Sequence, residues 1–218
     1  MKQRKVLISD FDGTMTGNDF FRLALKRLPE DALEPWQRFE EGRCSHFEAL
    51  ALIFARLRMN EEGYAEMIGA MEMDPGAASA VTALNQAGWQ VEIASAGCAW
   101  YIERLLEQVA LSVPVHANPG HISEEGALIL EKPLGSPYYS PATGIDKSAV
   151  IRHVLAQGAL VAYAGDGRPD LAPALLVAPG YRYARGWLAE ELQRRGEPFR
   201  LFNVWHDIAG SLLKEKRP

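Results

Sequence analysis

Short apolar runs that stop at polar or acidic residues alternate with stretches of helical period along this chain. Val6-Leu7-Ile8-Ser9 is the first run, and it ends at Asp10 and Asp12. Val91 to Ser95, Val113 to His116 and Leu160 to Ala164 read as further strands, Tyr181 to Ala184 as a weaker one and Phe199 to Phe202 as an edge strand. Helical spacing is carried by Ala77 to Ala87, Trp100 to Val109, Asp146 to Gln157, Trp187 to Arg195 and His206 to Leu213. Gly120 to Leu130 reads as a hairpin turning at Glu125-Gly126, and Lys132 to Thr143 as a loop. Strands alternating with helices predict an α/β fold, a Rossmann-like parallel sheet flanked by helices on both faces.

One block breaks the alternation. Asp19 to Leu25, Glu34 to Glu41, the stretch opening at Ser45 and Glu61 to Met71 are all helical in period, with no strand between them. Ser45 with Glu48 three residues on is a capping-box signature, and Phe47, Leu50, Ala51 and Phe54 follow at helical spacing. Asp74-Pro75-Gly76 ends the block. The expected organisation is a core domain of residues 1–16 and 75–218, with a small helical cap domain, 17–74, inserted after the first strand.

Composition narrows the classes. The 218 residues are 48% hydrophobic and 23% charged, as in an ordinary globular protein, and the net charge of -5 comes without a basic tract. Nucleic acid and anionic membrane surfaces are therefore not expected partners. No apolar run is long enough to span a bilayer. Met1-Lys2-Gln3-Arg4-Lys5 is basic, but the short run after it ends in Asp10, so it reads as the approach to a first strand rather than a signal peptide. Cys44 and Cys98 form no metal or redox spacing, which points to free thiols in a cytoplasmic setting. The five histidines form no spaced metal set.

The chemistry concentrates at strand ends. Asp10 and Asp12 lie two residues apart, so a strand puts them on one face at its carboxyl end, where open α/β sheets hold ligands. Two acids so close repel, and a hard divalent cation such as Mg2+ between them resolves this. Asp10 suits a nucleophile and Asp12 a proton carrier for a leaving alcohol. Ser95, Ala96 and Gly97 offer a hydroxyl and backbone N–H groups to a phosphate. Lys147, near a helix start, can neutralise charge between Asp10 and that phosphate. In Gly165-Asp166-Gly167-Arg168-Pro169-Asp170, Asp166 suits a metal ligand, and Asp170 a ligand through water or a residue orienting the others.

The series Asp10-x-Asp12-Gly13-Thr14, Ser95, Lys147 and Gly165-Asp166-Gly167-x-x-Asp170 resembles, in order and in placement, the four motifs of the haloacid dehalogenase superfamily. The resemblance runs from Lys5 to about Ile208. It implies a phosphatase acting through a phosphoaspartate, with Asp10 as nucleophile, Asp12 as acid/base, and magnesium held by Asp10, the backbone carbonyl of Asp12, and Asp166. A helical insertion between the first two motifs resembles the phosphoserine-phosphatase-like subclass. Asp10 to Thr16 with Asp19, the Ser95-Ala96-Gly97 element, and the tail from Tyr183 through His206-Asp207-Ile208 resemble most the methionine-salvage phosphatases of 2-hydroxy-3-keto-5-methylthiopentenyl-1-phosphate. Gly135 to Thr143 lacks the cysteines that some relatives carry just before the motif lysine.

The expected partner is a small phosphorylated metabolite, handled by a monomer or homodimer. Asp19 and Arg43 are the candidates for substrate specificity. A phosphotransferase, in which an alcohol intercepts the phosphoaspartate, stays open, as does a non-catalytic binding or switch protein on the same fold. A dehalogenase is disfavoured because that chemistry has no need of the second acid, Asp12.

Overall fold

A computed structural model describes residues 3–214. Met1 and Lys2 of the basic stretch, and residues 215–218 of the expected core domain, lie outside the described residues.

The first strand, β1 (Lys5–Ser9), is central because it is apolar on both faces. It pairs in parallel with β2 (Trp89–Cys98) on one side and, across the other, with the strand Leu160–Gly165. Leu7 is in register with Val91 and with Ala162. Successive side chains alternate between two cores: Leu7 joins Val91 and Ile93 on one face, while Val6 and Ile8 join Val161 and Tyr163 on the other. Each such fully buried aliphatic side chain contributes roughly 1.5–3 kcal/mol.

Between β1 and β2 come α1 (Phe20–Lys26), α2 (Glu34–Glu40), α3 (His46–Phe54), α4 (Glu61–Gly69) and α5 (Ala77–Gln86). The first four form the strand-free block expected for 17–74. Asp19 caps α1 by accepting from the Phe21 and Arg22 N–H groups. The capping box at Ser45 is present: Ser45 Oγ accepts from Glu48 N, and Glu48 accepts from Ser45 N. The chain enters and leaves this block side by side. Thr16 bridges Met73 antiparallel, Gly17 N donates to Glu72 O at 2.9 Å, and Asp74 N donates to Met15 O at 2.9 Å.

After β2 follow α6 (Ala99–Gln108), β3 (Val115–Asn118), the hairpin β4 (Gly120–Ile122) and β5 (Leu128–Leu130), a second small hairpin β6 (Tyr139–Ser140) and β7 (Gly144–Ile145), and α7 (Lys147–Ala156). The chain closes with β8 (Leu160–Gly165), α8 (Leu171–Leu176), β9 (Arg182–Ala184), α9 (Gly186–Arg194), β10 (Arg200–Leu201) and α10 (His206–Lys214). The main sheet has the order β10-β9-β8-β1-β2-β3, with every pair parallel. This is the expected Rossmann-like α/β class.

The structure adjusts several boundaries. β2 runs on through Ser95, Ala96 and Gly97 to Cys98, because Cys98 pairs with Asn118 beyond a bulge in β2, where these three residues stand opposite the single Ala117 of β3. β3 begins two residues later than expected, after Pro114, which has no N–H to donate to a ladder. The loop before Lys147 contains the β6–β7 pair. Helix α8 was hidden by Pro173, which its first turn tolerates.

Candidate active site

The carboxyl ends of β1, β2 and β8 and the start of α7 meet at one point. Asp10 leaves β1 with its N–H bonded to Ala164 O at 2.9 Å, so the adjacent strand sets its position. Its carboxylate is buried and lies 2.7 Å from Lys147 Nζ. Lys147 is the first residue of α7, whose cap is Asp146, and it also reaches Asp170 at 2.6 Å. Asp170 is fully enclosed: Oδ1 accepts from Lys147 and from the Tyr163 hydroxyl, and Oδ2 accepts from Asp166 N and Gly167 N. Thr14 Oγ1 donates to Asp166 Oδ1 at 2.7 Å.

These contacts divide the charge unevenly. Burial opposes ionisation of Asp170, but the Lys147 charge and hydrogen bond hold it below the usual carboxylate range. Burial works against the Lys147 ammonium too, and Asp10 and Asp170 outweigh it, so the lysine stays charged. Asp10 is pushed well up, first by burial and then by the Asp170 charge. Asp166 rises to about 6, by burial and again by Asp170. One lysine therefore faces three acids, and positive charge is in deficit.

A divalent cation suits that deficit. Asp10, Asp166 and Asp170 each offer a carboxylate oxygen, all within 4.8 Å of one another. The donor set is wholly hard oxygen, as Mg2+ requires. Gly13, at φ +70°, lets the β1 loop close over this group, since a Cβ there would lie 2.6 Å from Asp166 Oδ2.

Asp12 stands apart from that cluster. Oδ1 accepts from Phe20 N at 3.1 Å and Oδ2 from the Tyr101 hydroxyl at 2.8 Å, with Ser95 Oγ 3.5 Å away. Burial, then the charge of Asp19, raise its pKa to about 7. Gly97 makes the Tyr101 contact available, because a Cβ at that position would collide with the Tyr101 hydroxyl. Ser95 Oγ accepts from Gly97 N at 2.9 Å, inside β2 rather than at its end.

Asp10, Asp12, Asp19, Ser95, Ala96, Gly97, Lys147, Asp166 and Asp170 all line one cavity of about 1440 Å3. Arg43 does not: its side chain pairs with Glu41 and lies against a second, smaller cavity. Tyr101, Tyr163 and Arg185 were not singled out from the sequence. Arg185 donates to Gly13 O and Thr16 O, both at 2.7 Å, and braces the β1 loop from the end of β9.

The family model described as haloacid dehalogenase-like hydrolase matches residues 7–174. The chain belongs to this family. It is therefore an enzyme of the hydrolase class, and a curated relative that matches nearly its whole length is a phosphatase. A 2-hydroxy-3-keto-5-methylthiopentenyl-1-phosphate phosphatase of Brevibacillus brevis is 25% identical over 215 residues, covering 95% of each chain. A substrate-bound phosphoserine phosphatase has a TM-score of 0.67 at 17% identity, covering 99% of this chain and 100% of its own. The phosphoserine phosphatase of T. onnurineus gives 0.67 at 16%, covering 98% and 96%. At these identities the solved structures show the shared fold. No described helix is long and apolar enough to cross a membrane.

Proposed function

We propose that the protein is a magnesium-dependent phosphatase of a small-metabolite phosphate monoester, acting through a phosphoaspartate on Asp10. The observation that carries this is the pairing of a lysine-bound buried carboxylate, Asp10, with a second carboxyl, Asp12, whose pKa stands at about 7. A group titrating there can give a proton and take one back near neutrality.

In the first step an Asp10 oxygen attacks phosphorus, the bond to the ester oxygen breaks, and the leaving alkoxide takes the proton of Asp12. In the second, Asp12 accepts a proton from water as that water attacks the phosphoryl group, which frees inorganic phosphate and restores the Asp10 carboxylate. Lys147 keeps positive charge beside Asp10 throughout, and Ser95 with the nearby backbone receives phosphoryl oxygens. Asp10, the Asp12 carbonyl and Asp166 would hold magnesium, with Asp170 orienting them. That ion supplies charge that offsets the repulsion between Asp10 and the phosphate dianion. The helices of 17–74 serve as a cap that excludes water and supplies specificity.

At the finer level we assign the protein to the relatives of methionine-salvage phosphatases, on the near full-length match to the Brevibacillus brevis protein. The deciding experiment uses a phosphate monoester labelled at phosphorus, with magnesium and an acid quench. Label should stay on wild-type protein and be missing from Asp10→Asn, which should also release no phosphate. Wild-type release by Asp10→Asn refutes the mechanism.

A further inference from the structure

The cavity is much larger than a phosphate group needs. Its catalytic end is polar, and the rest opens under the helices of the inserted block, against Phe21, Trp36, Phe39, Leu50 and Phe54. The rings form a continuous wall, with Phe21 and Trp36 4.3 Å apart and Trp36 and Phe39 5.1 Å apart between centroids.

One polar side chain is set into that wall. His46 is 9% exposed, and its ring stands edge-on to Trp36 at 5.6 Å and to Phe39 at 5.3 Å. Its Nδ1 is buried without a hydrogen-bond partner among the described residues. Buried ring nitrogens are ordinarily paired, so an unpaired one on a residue that lines the cavity leaves hydrogen-bonding capacity that a ligand meets when the ring turns its nitrogen toward the cavity. Of the charged side chains near this wall, Arg22, Lys26 and Glu40 are exposed to solvent, and Asp19 is engaged as the cap of α1, accepting from Phe21 N and Arg22 N. Recognition in the interior is therefore by apolar contact and by the imidazole.

We propose that Phe21, Trp36, Phe39 and His46 form the subsite for the organic body of the phosphate ester, and that this body is apolar and carries a hydroxyl that bonds His46. The proposal rests on the phosphatase reading for the ester itself. Burial, then the Lys147 charge, lower the His46 pKa to about 4, so the ring is neutral, with one N–H and one lone pair. A hydroxyl both donates and accepts, and so satisfies either tautomer, which neither a carbonyl nor an ammonium group does. Sites built around a hydrogen bond discriminate strongly against analogues that lack the group, whereas apolar walls discriminate weakly among chain lengths.

The test compares hexyl phosphate with its 2-, 3- and 4-hydroxy isomers, with magnesium present. Wild type should favour the best hydroxy isomer over hexyl phosphate by about tenfold or more in kcat/KM. His46→Asn, which keeps a polar group near the Nδ1 position, should retain a preference. His46→Phe, which keeps the ring and removes both nitrogens, should bring the ratio below about twofold. Each ratio is internal to one protein, so a partly impaired variant still reports it. A wild-type ratio near one for every isomer, or an unchanged ratio in His46→Phe, overturns the subsite. If wild type hydrolyses none of the esters, the phosphatase reading falls, and the affinity ratio from tryptophan fluorescence quenching decides the subsite by the same criteria.

Discussion

Tyr101 holds Asp12 through a 2.8 Å hydrogen bond from its hydroxyl to Oδ2. The ring is fixed for that purpose, stacked on Phe20 at 4.0 Å. The same phenylalanine donates its backbone N–H to the other oxygen of Asp12. The bond favours the charged form of Asp12, while the neighbouring charge of Asp19 favours the neutral form.

These opposed effects predict opposite shifts in one pH profile. In the proposed mechanism Asp12 acts first as an acid, so kcat/KM should fall as pH rises through about 7. Tyr101→Phe removes a bond to the carboxylate and should move that limb to higher pH. Asp19→Asn keeps a capping side chain for α1 and removes a negative charge, and should move it lower. The kcat/KM profiles of the three proteins check this, and shifts in the same direction exclude Asp12 as the titrating acid.

Magnesium affinity should depend on acidity through Asp166. Its pKa is raised to about 6, so protons compete with the ion below that value and cease to compete above it. Calorimetric titration should find affinity about tenfold weaker at pH 5 than at pH 7. Thr14→Val removes a hydrogen bond that lowers this pKa, and the loss of affinity should begin at a higher pH.

Two glycines separate strain from steric exclusion. Gly13 and Gly42 have φ of +70° and +72°, but only at Gly13 would a Cβ strike Asp166, while at Gly42 it meets nothing within 4 Å. Alanine at either position should cost about 1–2 kcal/mol in urea unfolding. Only Gly13→Ala should also weaken magnesium binding, by more than about tenfold, because it displaces Asp166, a carboxylate of the proposed metal group.

Lys147→Met tests the charge balance. It leaves Asp10 and Asp170 facing one another without their shared cation. Unfolding in chelator should show a loss of about 3 kcal/mol, as for other buried pairs that lose one partner. Turnover should drop by about 100-fold or more, as when a preorganised charge is removed from a reacting centre. A stable variant with near wild-type rates would show that the lysine serves neither role.

The sheet was readable in the chain because its central strands are apolar on both faces and end at acids. The pattern β1, Asp10, Asp12 therefore located both a strand and a cavity wall. Ser95 was legible as a residue type but not as a mid-strand one, since β2 is prolonged by pairing between Cys98 and Asn118, which local sequence does not report. Tyr101, Tyr163 and Arg185 were invisible for a related reason. Each reaches the site from an element whose spacing announces only packing; the partners of Tyr101 and Arg185, Asp12 and the Gly13 carbonyl, are distant in sequence, and Tyr163 meets Asp170 only because the turn after β8 folds back on the strand. Arg43 illustrates the reverse: a cation in a turn beside the cavity, whose side chain turns outward to Glu41.

The paired crossing of Thr16 and Met73, with Gly17 and Asp74 bonded to the opposite segment, joins the two polypeptide connections of the helical block into a short ribbon. Any swing of α1 to α4 over the acids would have this crossing as its pivot. Phe20, at the near edge of that arc, would lift off Asp12 and Tyr101 together, so that opening the chamber and loosening the proton carrier become a single event.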